Sequence, residues 1–140
     1  MRPFQRIFLY LVPALVTVLA GCGGDEPTAA PDHTPASFNM LINDVTVTEP
    51  YTFPSGQTVR VRLKLFNAAQ DDLDDVEAEH FAGLTFDPVS RATAVRVADH
   101  NYQFDVTGGT PGSGTVTIGF GHDEAADEHT LGPKTISVTP

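Results

Sequence analysis

The chain has 140 residues, a net charge of −10 at neutral pH, one cysteine and no tryptophan. Nucleic acid phosphates and anionic lipid headgroups repel a chain this acidic, so cations, basic proteins or neutral surfaces are the expected partners and nucleic acid is not. A single cysteine also excludes an intramolecular disulfide.

The first two dozen residues have the parts of an export signal. Arg2 and Arg6 give a positively charged start, and residues 7–20 form an uncharged apolar run that contains Pro13. A transmembrane helix needs about 20 apolar residues. Because this run is shorter, it predicts a signal peptide that is removed after export rather than a membrane span.

The apolar run ends in Leu19-Ala20-Gly21-Cys22, which resembles the lipobox of bacterial lipoproteins. The resemblance implies that residues 1–21 are a cleaved lipoprotein signal peptide and that Cys22 carries diacylglycerol and further acyl chains such as palmitate. Two or more acyl chains anchor a protein stably, whereas a single chain binds reversibly. The residue after the cysteine is Gly23 rather than Asp, which implies the outer membrane if the host has two membranes and the cell membrane otherwise.

A change of composition separates a tether from a domain. Residues 22–38 are rich in Gly, Pro, Ala and Thr, which predicts a disordered linker after the lipidated cysteine. His33 is interpreted as a polar residue of this linker. Residues 39–140 form the predicted domain.

The domain shows the two-residue alternation of half-buried β-strands. In Thr58–Phe66 the apolar residues Val59, Val61, Leu63 and Leu65 alternate with Arg60, Arg62 and Lys64, a pattern that no α-helix can sort onto two faces. We therefore expect the apolar set to be buried and the basic set to be exposed. Phe104, Val116, Ile118 and Phe120 are also expected in the core.

Seven further short strands are predicted between turn-forming residues. They are Asp44–Thr48, Asp75–Phe81, Leu84–Phe86, Thr93–Ala98, Tyr102–Val106, Thr115–Phe120 and Thr135–Val138. No segment has a convincing 3.6-residue periodicity. About eight short strands in roughly 100 residues favour an all-β, immunoglobulin-like (Ig-like) β-sandwich, with a β-barrel as the alternative.

Two segments resemble bacterial Ig-like modules. Ser55–Asn67 is similar to a strand of Ig-like adhesion modules, and Thr107–Phe120 is similar to the end of bacterial Ig-like repeats. The resemblance implies a single Ig-like domain, and it implies architecture rather than a ligand, because such folds carry many functions. The chain departs from antibody domains in having no cysteine pair and no tryptophan.

An acidic run follows the clearest strand. Asp71 to His80 contains six carboxylates, which suit a hard cation such as Ca²⁺, but the run lacks the glycine of the EF-hand turn. The favoured interpretation is a solvated acidic edge. In it, Asp75, Glu77 and Glu79 alternate on the outer face of a strand and pair with Arg60, Arg62 and Lys64.

A second candidate site is the nearly mirrored run from His122 to His129. Between two antiparallel strands it would form a loop with both histidines at its neck, where His122, His129, Asp123 and Glu128 would suit Zn²⁺ or Cu²⁺. His80 and His100 would add ligands if their loops lie at the same end of the sandwich. The simpler alternative is a hydrophilic loop without a metal.

The sequence contains no nucleophile elbow, phosphate-binding loop or dinucleotide-binding fingerprint, and Cys22 is occupied by lipid. We therefore expect no enzyme. The function indicated first is a membrane-anchored envelope lipoprotein whose Ig-like domain binds another envelope protein or supports structure. The alternative is a lipoprotein that binds a divalent metal through its acidic and histidine-containing loops.

Overall fold

A computed structural model describes residues 32–140, apart from the side chain of Asp75. The predicted signal peptide, Cys22 and most of the predicted linker lie outside the described residues. In the described part, nine strands and one short 3-10 helix follow one another, and no helix there is long and apolar enough to cross a membrane. The strands are β1 (Ser37–Ile42), β2 (Val45–Val47), β3 (Tyr51–Pro54), β4 (Thr58–Phe66), β5 (Phe81–Asp87), β6 (Ala92–Arg96), β7 (Gln103–Gly108), β8 (Gly112–Gly121) and β9 (His129–Thr139), and the 3-10 helix is Asp74–Val76.

The strands form two separate sheets. One has the order β2-β1-β4-β7-β6 and is antiparallel throughout. The other has the order β3-β9-β8-β5, in which β3 runs parallel to β9 and the remaining pairs are antiparallel. Each sheet ends in open edge strands, so the predicted β-sandwich is confirmed and the barrel alternative is wrong.

The strand order is that of an immunoglobulin-like sandwich. Such domains place strands A, B, E and D in one sheet and C, F and G in the other. Here β1, β4, β7 and β6 take the first set of positions, and β5, β8 and β9 take the second. The additions are the short hairpin strand β2 and the strand β3, which pairs with the last strand of the chain.

The core lies between the sheets and follows the predicted alternation. Val61, Leu63 and Leu65 of β4 are fully buried, whereas Val59 near the strand's start is only half-buried against the core. From the facing sheet, Val116, Ile118 and Phe120 are buried as expected, as is Phe104 of β7. Fully burying one such side chain contributes about 1.5–3 kcal/mol, so these strands hold the two sheets together.

The basic residues of β4 lie on the opposite face, as predicted, but their partners differ from those expected. Arg60 is exposed and pairs with Asp105 of β7 at 2.7 Å. Arg62 and Lys64 are half-exposed because they pair with Asp74 at 2.7 Å and Asp72 at 2.6 Å. None of these three partners belongs to the alternating set Asp75, Glu77 and Glu79.

The strand predicted at Asp75–Phe81 is wrong. The chain there forms the 3-10 helix Asp74–Val76 and a turn, and β5 begins only at Phe81 and continues through the segment predicted as Leu84–Phe86. The reason is a spacing of three: Leu73 and Val76 are both buried, and side chains three apart share a face in a helical turn but not in a strand.

Candidate functional site: the histidine cluster

Four histidines lie at one end of the sandwich, each in ring contact with Phe120 or with His80, and we call His33, His80, His122 and His129 the histidine cluster. β5 begins here and β8 ends here, because Phe81 is paired with Gly121. β9 also begins here, with His129 opposite Phe120. The end is therefore built from segments far apart in sequence, which only the topology brings together.

His80 is the buried member of the histidine cluster. His80 is 2% exposed, and its ring stacks on Phe120 with centroids 4.9 Å apart and planes inclined by 14°. Its Nδ1 lies 3.2 Å from the carbonyl oxygen of Val76, which also accepts the His80 backbone N–H at 3.1 Å. A carbonyl only accepts, so Nδ1 carries the proton and the Nε2 of the neutral ring keeps its lone pair.

His122 lies against His80 on the solvent side. The two ring centroids are 4.1 Å apart, with the planes inclined by 47°, and the His122 side chain is 66% exposed. Its Nδ1 lies 2.8 Å and 3.1 Å from the two carboxylate oxygens of Glu128, and its backbone N–H donates to the same carboxylate at 3.1 Å. A carboxylate accepts, so the Nε2 of neutral His122 is also left with its lone pair.

The contacts with His122 also change the pKa of Glu128. The hydrogen bonds from the His122 side chain and backbone N–H, together with the charges of His122 and His129, hold the pKa of the exposed Glu128 carboxyl below its ordinary value. Hydrogen bonds to the charged form of an acid favour that form. Glu128 therefore acts as an anionic partner that fixes the orientation of the His122 ring.

The loop between β8 and β9 is not the symmetrical hairpin that its mirrored sequence suggests. Ala126 is buried with a φ of +51° and lies over Gly119 and Gly83. A Cβ at Gly119 would lie 2.1 Å from the Ala126 carbonyl oxygen, so only glycine allows this close approach. The loop thus folds back onto β8, and this sets the positions of His122 and Glu128.

The four predicted site residues therefore have different surroundings. His122 and Glu128 are brought together. Asp123 accepts the backbone N–H of Ala125 at 3.0 Å in a local turn. The ring of His129 packs near Phe120, with centroids 6.3 Å apart, and the histidine ring that contacts His122 is that of His80.

Two further residues of this end were not expected from the sequence. His33 is half-buried, and its ring meets that of His80 edge-on at a centroid distance of 5.8 Å, so it is more than a polar linker residue. Asp32 accepts the Thr34 N–H at 3.0 Å. That hydrogen bond, aided by the charges of His33 and His129, lowers the pKa of Asp32. No local sequence pattern marks the role of His33, because its neighbour His80 comes from a connection that is distant along the chain.

His100, the other histidine considered as a ligand, is engaged elsewhere. It accepts a hydrogen bond on Nδ1 from the amide of Gln103 at 3.3 Å. Over residues 32–140, no three or more His, Cys, Asp or Glu side chains converge into a group that could hold a metal ion. The histidine cluster is thus a pair of close imidazoles with further imidazoles around it, not a complete coordination sphere.

Several carboxylates of the acidic run contact protein groups. Lys64 binds Asp72 at 2.6 Å and approaches Asp74 at 3.9 Å, and Glu77 accepts the Tyr102 backbone N–H at 3.1 Å. Burial, reinforced by the charge of Asp72, raises the pKa of Asp74. For Asp72, burial acts to raise the pKa, but the hydrogen bond from Lys64 lowers it, and the net result is a lowered pKa. These contacts favour an ion-paired edge over a calcium loop.

Comparison with known proteins adds little. No family model matches the chain, and no curated protein matches it. Among solved structures, the crystal structure of domains 4 and 5 of the S-layer protein SbsC is similar, with 18% identity, a TM-score of 0.46, and coverage of 76% of this chain and 54% of that chain. This chain therefore spans about half the length of that protein chain.

Proposed function

We propose that this protein is a lipid-anchored protein of the bacterial envelope, with an Ig-like domain that acts as a non-enzymatic binding or structural module. The observation that carries the proposal is the tetrapeptide Leu19-Ala20-Gly21-Cys22 at the end of an uncharged apolar run, with Cys22 as the only cysteine of the chain. Lipidation gives this cysteine a function, since a lone cysteine in an exported chain otherwise stays a free thiol.

The entry of the chain into the sandwich supports an anchored domain. The amide of Asn67 donates to the Asp32 carbonyl oxygen at 3.2 Å, and the Ala36 N–H donates to the Phe66 carbonyl oxygen at 2.8 Å. Residues 32–36 are thus attached to the end that carries the histidine cluster. Residues 23–31 span at most about 30 Å when fully extended, so acylation of Cys22 would hold this end close to the bilayer.

With the histidine-cluster end tethered in this way, the opposite end of the sandwich would be the one available to a partner away from the membrane. That end carries the connection between β7 and β8, where Arg91 donates to the carbonyl oxygens of Thr110, Pro111 and Ser113 at 3.1, 2.9 and 2.8 Å. Three hydrogen bonds restrain this loop, and restraint of a loop before binding lowers the entropic cost of binding.

Charge supports a lipid anchor rather than electrostatic adhesion. The chain has 18 acidic and 8 basic residues, and Arg2 and Arg6 would leave with the signal peptide. Anionic headgroups repel such a domain within about one Debye length, about 8 Å at physiological ionic strength. Membrane attachment then depends on the acyl chains, and the favoured partner is a basic or neutral protein surface.

Metabolic labelling tests the proposal. Cells that express the chain are fed an alkyne analogue of palmitate, and membranes are partitioned into a cloud-point detergent. We expect the wild type and the tether variant Thr28→Ala to be labelled and to enter the detergent phase, and Cys22→Ala to be unlabelled and uncut. A Cys22→Ala protein that is still labelled and processed would overturn the anchor assignment.

A further inference from the structure

The histidine cluster contains two neighbouring imidazoles, and each has one ring nitrogen outside the hydrogen bonds described above. His80 and His122 lie 4.1 Å apart between ring centroids. In each ring Nδ1 donates to an oxygen, that of the Val76 carbonyl for His80 and that of the Glu128 carboxylate for His122. In each neutral ring the remaining lone pair is therefore on Nε2.

This arrangement matches the surroundings of histidines that bind metals. A metal-bound histidine almost always donates its other N–H to a carbonyl or a carboxylate, which fixes the tautomer and makes the free nitrogen more basic. Both kinds of oriented acceptor are present here, one for each ring. The outer hydrogen bonds that orient metal-binding histidines are therefore present for both rings.

We propose that His80 and His122 form a two-imidazole site for Zn²⁺ or Cu²⁺, with the remaining coordination positions open to water. The inference goes beyond the proposed function, since neither lipid anchoring nor partner binding requires a metal. It replaces the pair His122 and His129 by the pair that the fold brings into ring contact. Imidazole nitrogen is a preferred ligand of both metals.

Burial and charge suit the site to capture a cation from solvent. His80 is held by its stacking on Phe120 and by Val76, whereas the His122 side chain is 66% exposed and can turn towards an arriving ion. Glu128 is ionised above its lowered pKa and lies beside His122. The net charge of −10 raises the local concentration of cations around the whole chain.

Calorimetric titration of the full chain in mild detergent with ZnCl₂ and with CuCl₂ tests the site. A Cys22→Ser background removes the thiol as a competing ligand, so the result does not depend on lipidation. We expect saturable binding of one ion. His122→Ala and His80→Gln should each weaken the binding at least about tenfold, because each removes a ligand. Glu128→Gln should weaken it about tenfold, because it leaves both ligands but removes the charge that orients His122.

Two histidines of the same chain serve as matched controls. His129→Ala and His100→Ala should bind each metal with the affinity of the unsubstituted background. If His129→Ala loses binding and His80→Gln keeps it, the pair proposed here is wrong. If neither metal binds above the dilution heat, the His80–His122 contact is a structural stack only.

A spectroscopic measurement covers the case in which His80 variants do not fold. Long-range ¹H–¹⁵N spectra of the imidazoles in the same background resolve Nδ1 and Nε2 of each ring. Addition of Zn²⁺ should shift the Nε2 signals of His80 and His122 in parallel and leave those of His100 unchanged. Parallel shifts of His122 and His129, or no shift at saturating Zn²⁺, would overturn the proposal.

Discussion

The imidazole of His80 stacks on the phenyl ring of Phe120, with centroids 4.9 Å apart and ring planes inclined by 14°. His80 belongs to the connection between β4 and β5, and Phe120 belongs to β8, so the contact joins the acidic run to the facing core strand. His122 contacts His80 on the solvent side of this stack. His80 thus attaches the histidine cluster to the hydrophobic core.

Truncation of Leu63 tests the core. Leu63 is fully buried in β4, and removal of a buried leucine side chain leaves a cavity that costs about 2–5 kcal/mol. We expect Leu63→Ala to lower the free energy of unfolding by that amount in urea denaturation. The matched control is Val95→Ala on the edge strand β6, where the valine is 68% exposed and the change should stay within about 0.5 kcal/mol. Equal costs would contradict the assignment of faces.

Two glycines that face each other across β5 and β8 test the loop that carries His122. Gly83 and Gly119 are register partners, but an added Cβ has different surroundings at each. At Gly83 it would lie 3.6 Å from the Ala126 Cβ, whereas at Gly119 it would lie 2.1 Å from the Ala126 carbonyl oxygen. Gly119→Ala should therefore displace the loop and cost about 1–3 kcal/mol.

Gly83→Ala should be close to neutral, because its new contact is an ordinary one. Thermal melting measures both costs, and amide chemical shifts of His122 and Glu128 report the loop displacement. If Gly119→Ala leaves these shifts at their wild-type values, the close approach of Ala126 to β8 is wrong.

Arg91 tests the loop at the opposite end. Its guanidinium donates three hydrogen bonds to the carbonyl oxygens of Thr110, Pro111 and Ser113. We expect Arg91→Ala to lower the free energy of unfolding by about 1–3 kcal/mol, since each net hydrogen bond contributes about 0.5–1.5 kcal/mol and these are partly solvated.

Arg91→Lys should recover only part of this loss, because an ammonium group cannot reproduce the planar array of donors. Urea denaturation of the two variants beside the wild type measures the difference. A lysine variant as stable as the wild type would show that the charge alone, not the guanidinium geometry, holds the loop.

The His122–Glu128 pair predicts a particular dependence of stability on pH. The pKa of Glu128 is held below its ordinary 4.5 by the His122 hydrogen bonds. An acid with a lowered pKa in the folded state stabilises the fold above its unfolded pKa, and this stabilisation is lost as the pH falls through the folded pKa. Glu128→Gln should therefore melt below the wild type at neutral pH, and this gap should close in acid.

Melting temperatures measured from neutral pH down through the acid range test this expectation. Glu124→Gln is the control, since Glu124 is exposed in the same loop and its backbone carbonyl, not its carboxylate, accepts a hydrogen bond from Arg96. A gap between Glu128→Gln and wild type that is constant over the whole range would contradict the ionic character of the pair.

Part of the site was foreseeable and part was not. The sequence makes His122 and Glu128 candidates because the mirrored run places polar ligands close together along the chain, and the structure joins them. The sequence makes His80 only a conditional candidate and places His33 in the linker. The contacts of His80 with His122 and with His33 depend on which loops share an end of the sandwich, and no pattern within a single segment encodes that.

What the sequence determined by itself is the set of strands with strict alternation. In β4, and in β8 from Val116 to Phe120, side chains two apart must lie on one face of the sheet whatever the remaining chain does, so the buried residues followed from local geometry. What only the tertiary structure decided is the course of Asp74 to His80. Leu73 and Val76 reach the core through a helical turn, and this turn carries His80 onto Phe120 and beside His122. Burial in a core formed by distant strands outweighs the weak local preference of a short polar segment, and so the assembled fold, not the segment, placed the histidines.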